Sequence, residues 1–151
     1  MLNMVDPFTF DVHRNKDSLD IVLSSTMAYI DKADTLVKKL LKDHGLERHS
    51  FAVRVVMREG LTNSVRHAHS HDPAKLIRFK LTIDDNKLIM TIEDQGEGFD
   101  WRQVLSGVSR ETDEGSLKDH GRGVLIMDDY FDSWAYNEKG NVLTLEKNIS
   151  S

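Results

Sequence analysis

The chain has no cysteine, and only 2 of its 151 residues are proline. The lack of cysteine excludes disulfides, thiolate nucleophiles and thiolate metal sites, and it fits a reducing compartment. The chain also lacks a basic segment followed by an apolar stretch at its start, and it has no apolar run long enough to span a bilayer. We therefore expect a cytoplasmic protein with no membrane partner.

An excess of positive charge is missing as well. Twenty Lys and Arg residues stand against 25 Asp and Glu, a formal net charge of -5. Direct nucleic-acid binding needs a basic face, so this balance argues against it. With 39% hydrophobic and 30% charged residues in 151 positions, the chain has the composition and size of one globular domain. We expect residues 1–151 to form a single domain that carries the function.

The apolar periodicity predicts an α+β fold. Alternating residues predict strands over 8–12, 76–83, 87–93, 133–136 and 142–147. Recurrence at helical spacing predicts three helices. The first covers 19–42 with Ser18 as its cap, the second begins at 47–50 and ends before Asp72, and the third covers 124–131. Elements of these two kinds bury their apolar sides against each other, so we expect a two-layer sandwich with helices on one face of a sheet.

Between residues 96 and 121 the periodicity disappears, and Gly, Ser, Asp and Glu dominate. Unpatterned segments of this length are uncommon inside a compact domain and often serve as lids over a binding site. We expect a mobile lid over about 99–121.

Three polar residues of the second predicted helix follow one another at intervals of four: Glu59, Asn63 and His67. This spacing places a carboxylate, an amide and an imidazole on one helical stripe. Taken alone, such a stripe is more often a solvated face than a site.

A second motif, Asp94-Gln95-Gly96-Glu97-Gly98, directly follows a predicted strand. A carboxylate at a strand end can accept a hydrogen bond from an exocyclic amine, and Gly96 and Gly98 leave room for a close approach to the backbone. An ordinary Asp-Gly turn is the competing explanation.

The third motif, Gly121-Arg122-Gly123, opens the predicted helix over 124–131. A glycine loop before a helix N-terminus suits phosphate, and Arg122 would add positive charge. The competing explanation is a common glycine turn with a solvated arginine.

The order of the three motifs is more specific than any one of them. It resembles the N, G1 and G2 boxes of the GHKL ATPase and kinase superfamily over about residues 58–147. The segment EGLTNSVRH, together with the preceding strand and long helix, resembles the small serine kinases that act as anti-sigma factors. The resemblance implies a Bergerat-type ATP-binding fold with a mixed, mainly antiparallel sheet.

The same resemblance implies roles for the motif residues. Asn63 would ligate Mg²⁺, Glu59 would orient or deprotonate the attacking hydroxyl, and Asp94 would recognise the adenine amino group. His67, on the stripe of Asn63, would belong to the nucleotide site. Gly96 and Gly98 would make room for the nucleotide, and the loop ending at Gly121-Arg122-Gly123 would fold over its phosphates.

The chain departs from the family pattern in two places. Asn141 follows the glycine of the last hairpin, where the family often has threonine near the adenine, so we expect an amide in the cofactor site. Asp119 and His120 stand where some family kinases have a basic residue for the γ-phosphate, with Lys118 or Arg122 as possible substitutes.

A run of alternating histidines, His67, His69 and His71, suggests zinc. Helical spacing does not bring three imidazoles at such intervals together, so a solvated or capping role is the stronger expectation.

Two functions fit these residues. The first is a protein kinase that transfers the γ-phosphoryl group of ATP to a serine or threonine of a small anti-sigma-antagonist-type protein. The second is a non-catalytic adaptor that uses bound ATP or ADP to select between partners. The resemblance leaves open whether a sigma factor is bound and whether the protein forms a homodimer.

Overall fold

The computed structural model describes residues 8–97 and 119–150, and the side chains of 119–124 are outside this description. The strands are β1 (Phe10–Arg14), β2 (Ser18–Ser24), β3 (Leu76–Asp84), β4 (Lys87–Asp94), β5 (Ser133–Tyr136) and β6 (Val142–Asn148). The helices are α1 (Met27–Asp43), α2 (Ser50–Asn63) and α3 (Asp119–Tyr130). A 3₁₀ turn, Glu47–His49, precedes α2, and a π-helical turn, Ser64–Ala68, follows it.

The strands form one sheet in the order β1-β2-β3-β4-β6-β5. Every neighbouring pair in this sheet is antiparallel. The predicted α+β class is therefore confirmed, and the sheet of the described residues is wholly rather than mainly antiparallel. Both hairpins predicted from the turn residues are present as β3–β4 and β5–β6.

Helices cover one face of the sheet, and the other face is polar. Ile21 of β2 lies opposite Phe79 of β3, and both are fully buried. Their neighbours Asp20 and Lys80 lie on the opposite face, because side chains alternate along a strand. The buried face packs against α1 and α2, and α3 packs against α2 and β5. The predicted two-layer arrangement is thus confirmed.

The prediction of a helix over 19–42 is wrong at its start. Residues 18–24 form β2, with Leu19, Ile21 and Leu23 buried at intervals of two. This short alternation is followed by a true helical pattern, and the combined sequence pattern resembles that of one longer helix. The helix cap is Thr26 rather than Ser18, since the Thr26 hydroxyl accepts a hydrogen bond from the Tyr29 backbone N–H at 3.3 Å.

The third helix begins earlier than predicted. It starts at Asp119, so the predicted loop does not extend to Gly121. Most of the lid predicted over about 99–121, namely residues 99–118, lies outside the described residues. Within the described ranges, no helix is long and apolar enough to cross a membrane.

An ion-pair network ties α1 to α2 and so positions the helix that carries Glu59 and Asn63. Asp34 is nearly buried and accepts two hydrogen bonds from Arg54, at 2.6 and 3.1 Å, and one from Arg58, at 3.1 Å. Burial by itself would raise the pKa of Asp34, but the hydrogen bond from Arg54 and the charges of Arg54 and Arg58 hold that pKa below its usual value. The stabilisation is therefore present above the usual carboxyl pKa and is lost as the pH falls through the lowered one.

We expect Asp34→Asn to lower the free energy of unfolding by about 1–2 kcal/mol, because charge-assisted bonds at a nearly buried carboxylate are lost. Denaturant unfolding at neutral pH measures the change. Asp31→Asn is the matched control: it removes only an exposed partner of Arg58 and should cost less than about 0.5 kcal/mol. Equal losses in the two variants would contradict the assignment.

Candidate functional site

A pocket lies where the end of α2 and its π-helical turn meet the neighbouring ends of β4, β5 and β6. Its volume is about 90 Å³. Four side chains selected from the sequence line it: Asn63, His67, Asp94 and Asn141. The remaining lining residues are Gly60, Ser64, Ala68, Ile92, Tyr136, Gly140 and Leu143.

The carboxylate of Asp94, at the end of β4, is the principal acceptor in this pocket. Its Oδ1 accepts a hydrogen bond from the Gly96 backbone N–H at 2.9 Å, and its Oδ2 accepts one from the Ser64 hydroxyl at 3.4 Å. Burial raises the pKa of Asp94, although the Gly96 N–H and the nearby His69 and Ser64 act in the opposite direction. Each carboxylate oxygen has further acceptor capacity, so Asp94 can still receive a donor from a ligand.

Gly96 sits where the chain has no space for a side chain. A Cβ at this position would lie 2.8 Å from the Ala68 Cβ, 3.1 Å from the Ala68 carbonyl oxygen and 3.0 Å from Asp94 Oδ1. The glycine therefore permits the contact between the β4 end and the π-helical turn. Gly98, the second glycine of the motif, lies outside the described residues.

The stripe of Glu59, Asn63 and His67 is divided by the change from α- to π-helix after Asn63. Asn63 and His67 line the pocket, whereas Glu59 is not part of the lining. The Glu59 Oε1 atom is nevertheless buried without a hydrogen-bond partner in the described part of the chain. A buried carboxylate oxygen without a hydrogen-bond partner costs free energy of folding. Such groups recur at functional sites.

Tyr136 and Ser64 are pocket residues that the sequence reasoning missed. Burial raises the pKa of Tyr136, and the negative charges of Asp94 and Glu59 raise it further, which places Tyr136 near both carboxylates. In the strand register Tyr136 lies opposite the buried Leu143, a pairing that only the folded sheet defines. Ser64 directly follows Asn63 in the motif and had no signal of its own.

The β5–β6 turn is held against Asp94 by two asparagines. The Asn137 Oδ1 atom accepts from the backbone N–H groups of Gly140, Asn141 and Val142, at 2.9, 2.9 and 3.1 Å. The Asn141 Nδ2 group donates to the Asp94 carbonyl oxygen at 3.3 Å, and the Asn141 Oδ1 accepts from Asn137 Nδ2 at 2.8 Å. Asn141 therefore lines the pocket, with its amide already engaged by the protein.

The third motif lies in the first turns of α3. Gly121, Arg122 and Gly123 are helical rather than loop residues, and the Arg122 side chain is outside the described part. The later residues Met127 and Phe131 are buried in the core, which anchors this helix beside α2.

The histidine run divides into two environments. His67 and His71 are exposed, while His69 is 2% exposed, so the expected solvated role is wrong for His69. The expected capping role is confirmed for it, since His69 is the C-cap of the π-helical turn and its backbone N–H donates to the Ser64 carbonyl oxygen at 2.9 Å. Its Nδ1 lies 2.9 Å from the Ser25 hydroxyl, and its Nε2 accepts from the Gln95 backbone N–H at 2.8 Å. Among the described residues, no group of three His, Asp or Glu side chains is arranged to hold a metal ion.

Chemically, the pocket offers a half-buried carboxylate acceptor, Asp94, together with the apolar side chains of Ile92 and Leu143. This combination suits a flat heterocycle that carries an amino group. Asn63 supplies an amide oxygen in the same pocket, and Mg²⁺ needs few protein ligands when phosphate oxygens and water complete its shell. The residues present therefore fit a purine nucleotide and a magnesium ion.

The family model of the histidine kinase-like ATPase domain matches residues 23–147, which is most of the chain and includes the whole pocket. The chain belongs to this family, and membership implies ATP binding.

Among its relatives is the anti-sigma F factor of Geobacillus sp. (strain WCH70), 28% identical over 105 residues, which are 65% of this chain and 68% of the relative. The serine-protein kinase RsbW of Staphylococcus epidermidis is 27% identical over 101 residues, 64% of each chain. The anti-sigma F factor of Clostridium perfringens (strain 13 / Type A) is 22% identical over 133 residues, 84% of this chain and 85% of the relative. The resemblance to anti-sigma serine kinases is thus confirmed.

Proposed function

We propose that the protein is an ATP- and Mg²⁺-dependent serine/threonine kinase that acts as an anti-sigma factor or partner-switching regulator in the cytoplasm. Its substrate would be a small protein of the anti-sigma-antagonist type, with a sigma factor as a further partner and a homodimer as the assembly. The observation that carries the proposal is the juxtaposition of the Asp94 carboxylate with Asn63 in one pocket, beside the unpartnered oxygen of Glu59. The names of the relatives supply the class of partner.

The proposed roles follow from these positions. Asp94 would accept a hydrogen bond from the adenine amino group, and Asn63 would hold Mg²⁺ at the phosphates. The substrate hydroxyl oxygen would attack the γ-phosphorus, the bond from that phosphorus to the β–γ bridging oxygen would break, and ADP would leave. Glu59 would orient the hydroxyl and accept its proton. Catalysis of this kind depends chiefly on positioning and charge neutralisation.

Gly121, Arg122 and Gly123 remain predicted phosphate-site residues, and Gly98 remains a predicted glycine that makes room for the nucleotide. Of the lid predicted over about 99–121, residues 99–118 remain a prediction, because 119–121 belong to α3. The helical start of α3 supports a phosphate role for Gly121, because the first backbone N–H groups of a helix have no partner within it and Gly121 lies in the first turn. His67 and Asn141 keep their predicted place in the nucleotide site because both line the pocket.

A second function, a non-catalytic adaptor that switches partners with ATP or ADP, is favoured by one observation. Glu59 is absent from the pocket lining, and its Oε1 is buried without a hydrogen-bond partner among the described residues. An adaptor needs the nucleotide pocket and not the base.

Transfer of labelled phosphate separates the two functions. Partners captured on the protein in the presence and absence of ATP would be purified and incubated with the protein and labelled Mg-ATP. Label on a serine or threonine of a captured partner supports the kinase. Partner binding that depends on nucleotide, without any transfer, supports the adaptor and refutes the kinase.

We expect saturating Mg-ATP to raise the melting temperature by roughly 5–10 °C. A ligand present at 100 times its Kd adds about 2.7 kcal/mol to the free energy of unfolding, and a domain of this size converts that gain into a shift of this order. Thermal unfolding with increasing Mg-ATP measures the shift. Mg-GTP is the control ligand: guanine presents a carbonyl oxygen to Asp94 where adenine presents its amine, so its shift should be much smaller. The absence of any shift with Mg-ATP would contradict nucleotide binding.

A further inference from the structure

His69 connects three segments at the edge of the pocket. It follows the π-helical turn, its Nδ1 meets the Ser25 hydroxyl between β2 and α1, and its Nε2 meets the Gln95 backbone N–H after β4. A backbone N–H can only donate, so the Nε2 atom of His69 is unprotonated and accepts. The ring is therefore neutral, and its hydrogen is on Nδ1, which donates to Ser25.

The residue that His69 holds lies inside the Asp94 turn. Gln95 stands between Asp94, the acceptor of the pocket, and Gly96, whose N–H bonds to the Asp94 carboxylate. The Gln95 side chain also accepts from the Leu76 backbone N–H at 2.8 Å, which ties the same turn to the start of β3. Gln95 is thus fixed through its backbone by His69 and through its side chain by β3.

Ser25 gives His69 a firm attachment on its other side. The Ser25 side chain is buried, at 1% exposure, and its backbone N–H donates to the Lys75 carbonyl oxygen at 3.0 Å. A rigid partner on Nδ1 fixes the plane of the imidazole, and this determines where Nε2 can accept. The chain of contacts from Ser25 through His69 to Gln95 therefore sets the position of the turn.

We propose that His69 is a positioning residue of the nucleotide pocket: its neutral imidazole holds the Asp94-Gln95-Gly96 turn in the base-binding geometry, and its protonation releases that turn and weakens nucleotide binding. This inference rests on the proposed ATP site. It assigns to His69 no contact with the nucleotide.

The charges around His69 act in both directions. Burial, the largest effect, lowers the pKa of His69, and Lys75 before β3 acts in the same direction. Asp94 of β4 and Asp72 before β3 favour the protonated ring, but they do not offset burial. His69 is therefore neutral at neutral pH and becomes protonated only in acid, when Nε2 turns into a donor facing the Gln95 N–H.

Protonation of His69 couples the pH to the stability of the protein and to its nucleotide affinity. Because the folded protein resists protonation of His69, its contribution to stability is present above the usual histidine pKa and is lost as the pH falls towards the lowered pKa. If the nucleotide requires the neutral ring, the Kd should rise by up to about tenfold per pH unit once the pH is below the pKa of His69 in the free protein.

The first measurement needs no nucleotide. NMR on the isotope-labelled protein follows the His69 ring and the Gln95 amide from about pH 8 to about pH 5, the range in which a histidine titrates. We expect the Gln95 amide to lose its hydrogen-bonded shift as the His69 ring becomes protonated. A Gln95 amide that stays unchanged through protonation of His69 would overturn the inference, whatever the outcome of nucleotide binding.

The second measurement is the Kd of Mg-ATP by calorimetry over the same pH range, for the parent and for His69→Gln. The glutamine amide oxygen reaches the place of Nε2, accepts from an N–H, and does not titrate. We expect the Kd of His69→Gln, taken relative to its own value at about pH 8, to lack the parent's additional weakening in acid. Ionisation of ATP itself affects both proteins equally, so it cancels in the comparison.

His71→Asn is the matched control, since His71 is exposed, lies two residues away, and has a φ of 60° that asparagine tolerates. His71→Asn should show the same dependence of the Mg-ATP Kd on pH as the parent. A His69→Gln profile identical to that of the parent would overturn the inference while leaving the ATP site intact. If the parent binds no nucleotide at any pH, the ATP site itself is refuted, and with it the proposed effect of His69 on binding.

Discussion

Replacing Glu59 by glutamine is expected to slow phosphoryl transfer by about 10²–10⁴-fold, which is the usual contribution of a general base, and to leave Mg-ATP affinity within a few-fold of the parent. Glutamine preserves the shape of the side chain and removes its ability to take a proton. Because Glu59 lies outside the pocket lining, its loss should not disturb the bound nucleotide. The measurement pairs nucleotide titration with transfer of labelled phosphate to a captured partner.

Asn63→Ala provides the contrast. Asn63 lines the pocket and is the proposed magnesium ligand, so its loss should weaken both Mg-ATP binding and transfer. Glu93→Gln is a matched control for the change of charge, because Glu93 is exposed on β4. Transfer at the parental rate by Glu59→Gln would refute Glu59 as the base, and equal loss of affinity in the Glu59 and Asn63 variants would refute the division of roles.

Asp94→Asn is expected to raise the Kd of Mg-ATP by about 5–150-fold, corresponding to about 1–3 kcal/mol for a buried polar group left without a suitable partner. The Gly96 N–H requires an acceptor, so the amide oxygen of the new asparagine should take the place of Oδ1. The amino group then takes the place of Oδ2 and presents a donor to the adenine amine. Calorimetry with Mg-ATP measures the loss.

The same substitution should not destabilise the nucleotide-free protein. Burial raises the pKa of Asp94, which means that ionisation of this carboxyl opposes folding at pH values above the usual carboxyl pKa. Asparagine removes that charge, and Ser64 can rotate its hydroxyl hydrogen to the Gly60 carbonyl oxygen, which lies at 3.3 Å. The melting temperature of the free variant should therefore equal or exceed that of the parent.

Ser64→Ala is the matched control for the pocket, since it removes a neutral donor to Asp94 and keeps the carboxylate. It should change the Kd much less than Asp94→Asn does. Parental affinity in Asp94→Asn would remove Asp94 from the adenine site, and a large fall in its melting temperature would show that the carboxylate is structural.

Much of the fold could be predicted because the apolar periodicity of each strand and helix is visible within a short stretch of sequence. The β3 and β4 strands alternate cleanly around a turn of Asp84, Asp85 and Asn86, and Asp85 adopts a φ of 48°, which aspartate accepts more readily than most residues. The error over 18–24 arose because three buried residues at intervals of two are followed at once by a helix. Only pairing with β1 and β3 on either side selects the strand.

The site could be predicted only as separate motifs. Order along the chain and the resemblance to the GHKL superfamily suggested that Asn63, Asp94 and Asn141 meet, and the structure places all three in one pocket. The roles assigned to them stay predictions. Tyr136 could not be selected in the same way, because its closeness to two carboxylates depends on the position of β5 at the far edge of the sheet.

By itself, the sequence determined the α+β class, the two hairpins, the family and the residue types available for nucleotide chemistry, because each depends on local spacing or on motif order. The tertiary structure alone decided that His69 is buried while His67 and His71 are exposed, that Glu59 stands outside the pocket lining, and that the amide of Asn141 is engaged by Asp94 and Asn137. The physical reason is that burial and hydrogen-bond partners come from segments remote in the chain. Ser25 and Gln95, which form the hydrogen bonds of the His69 ring, are separated from it by 44 and 26 residues.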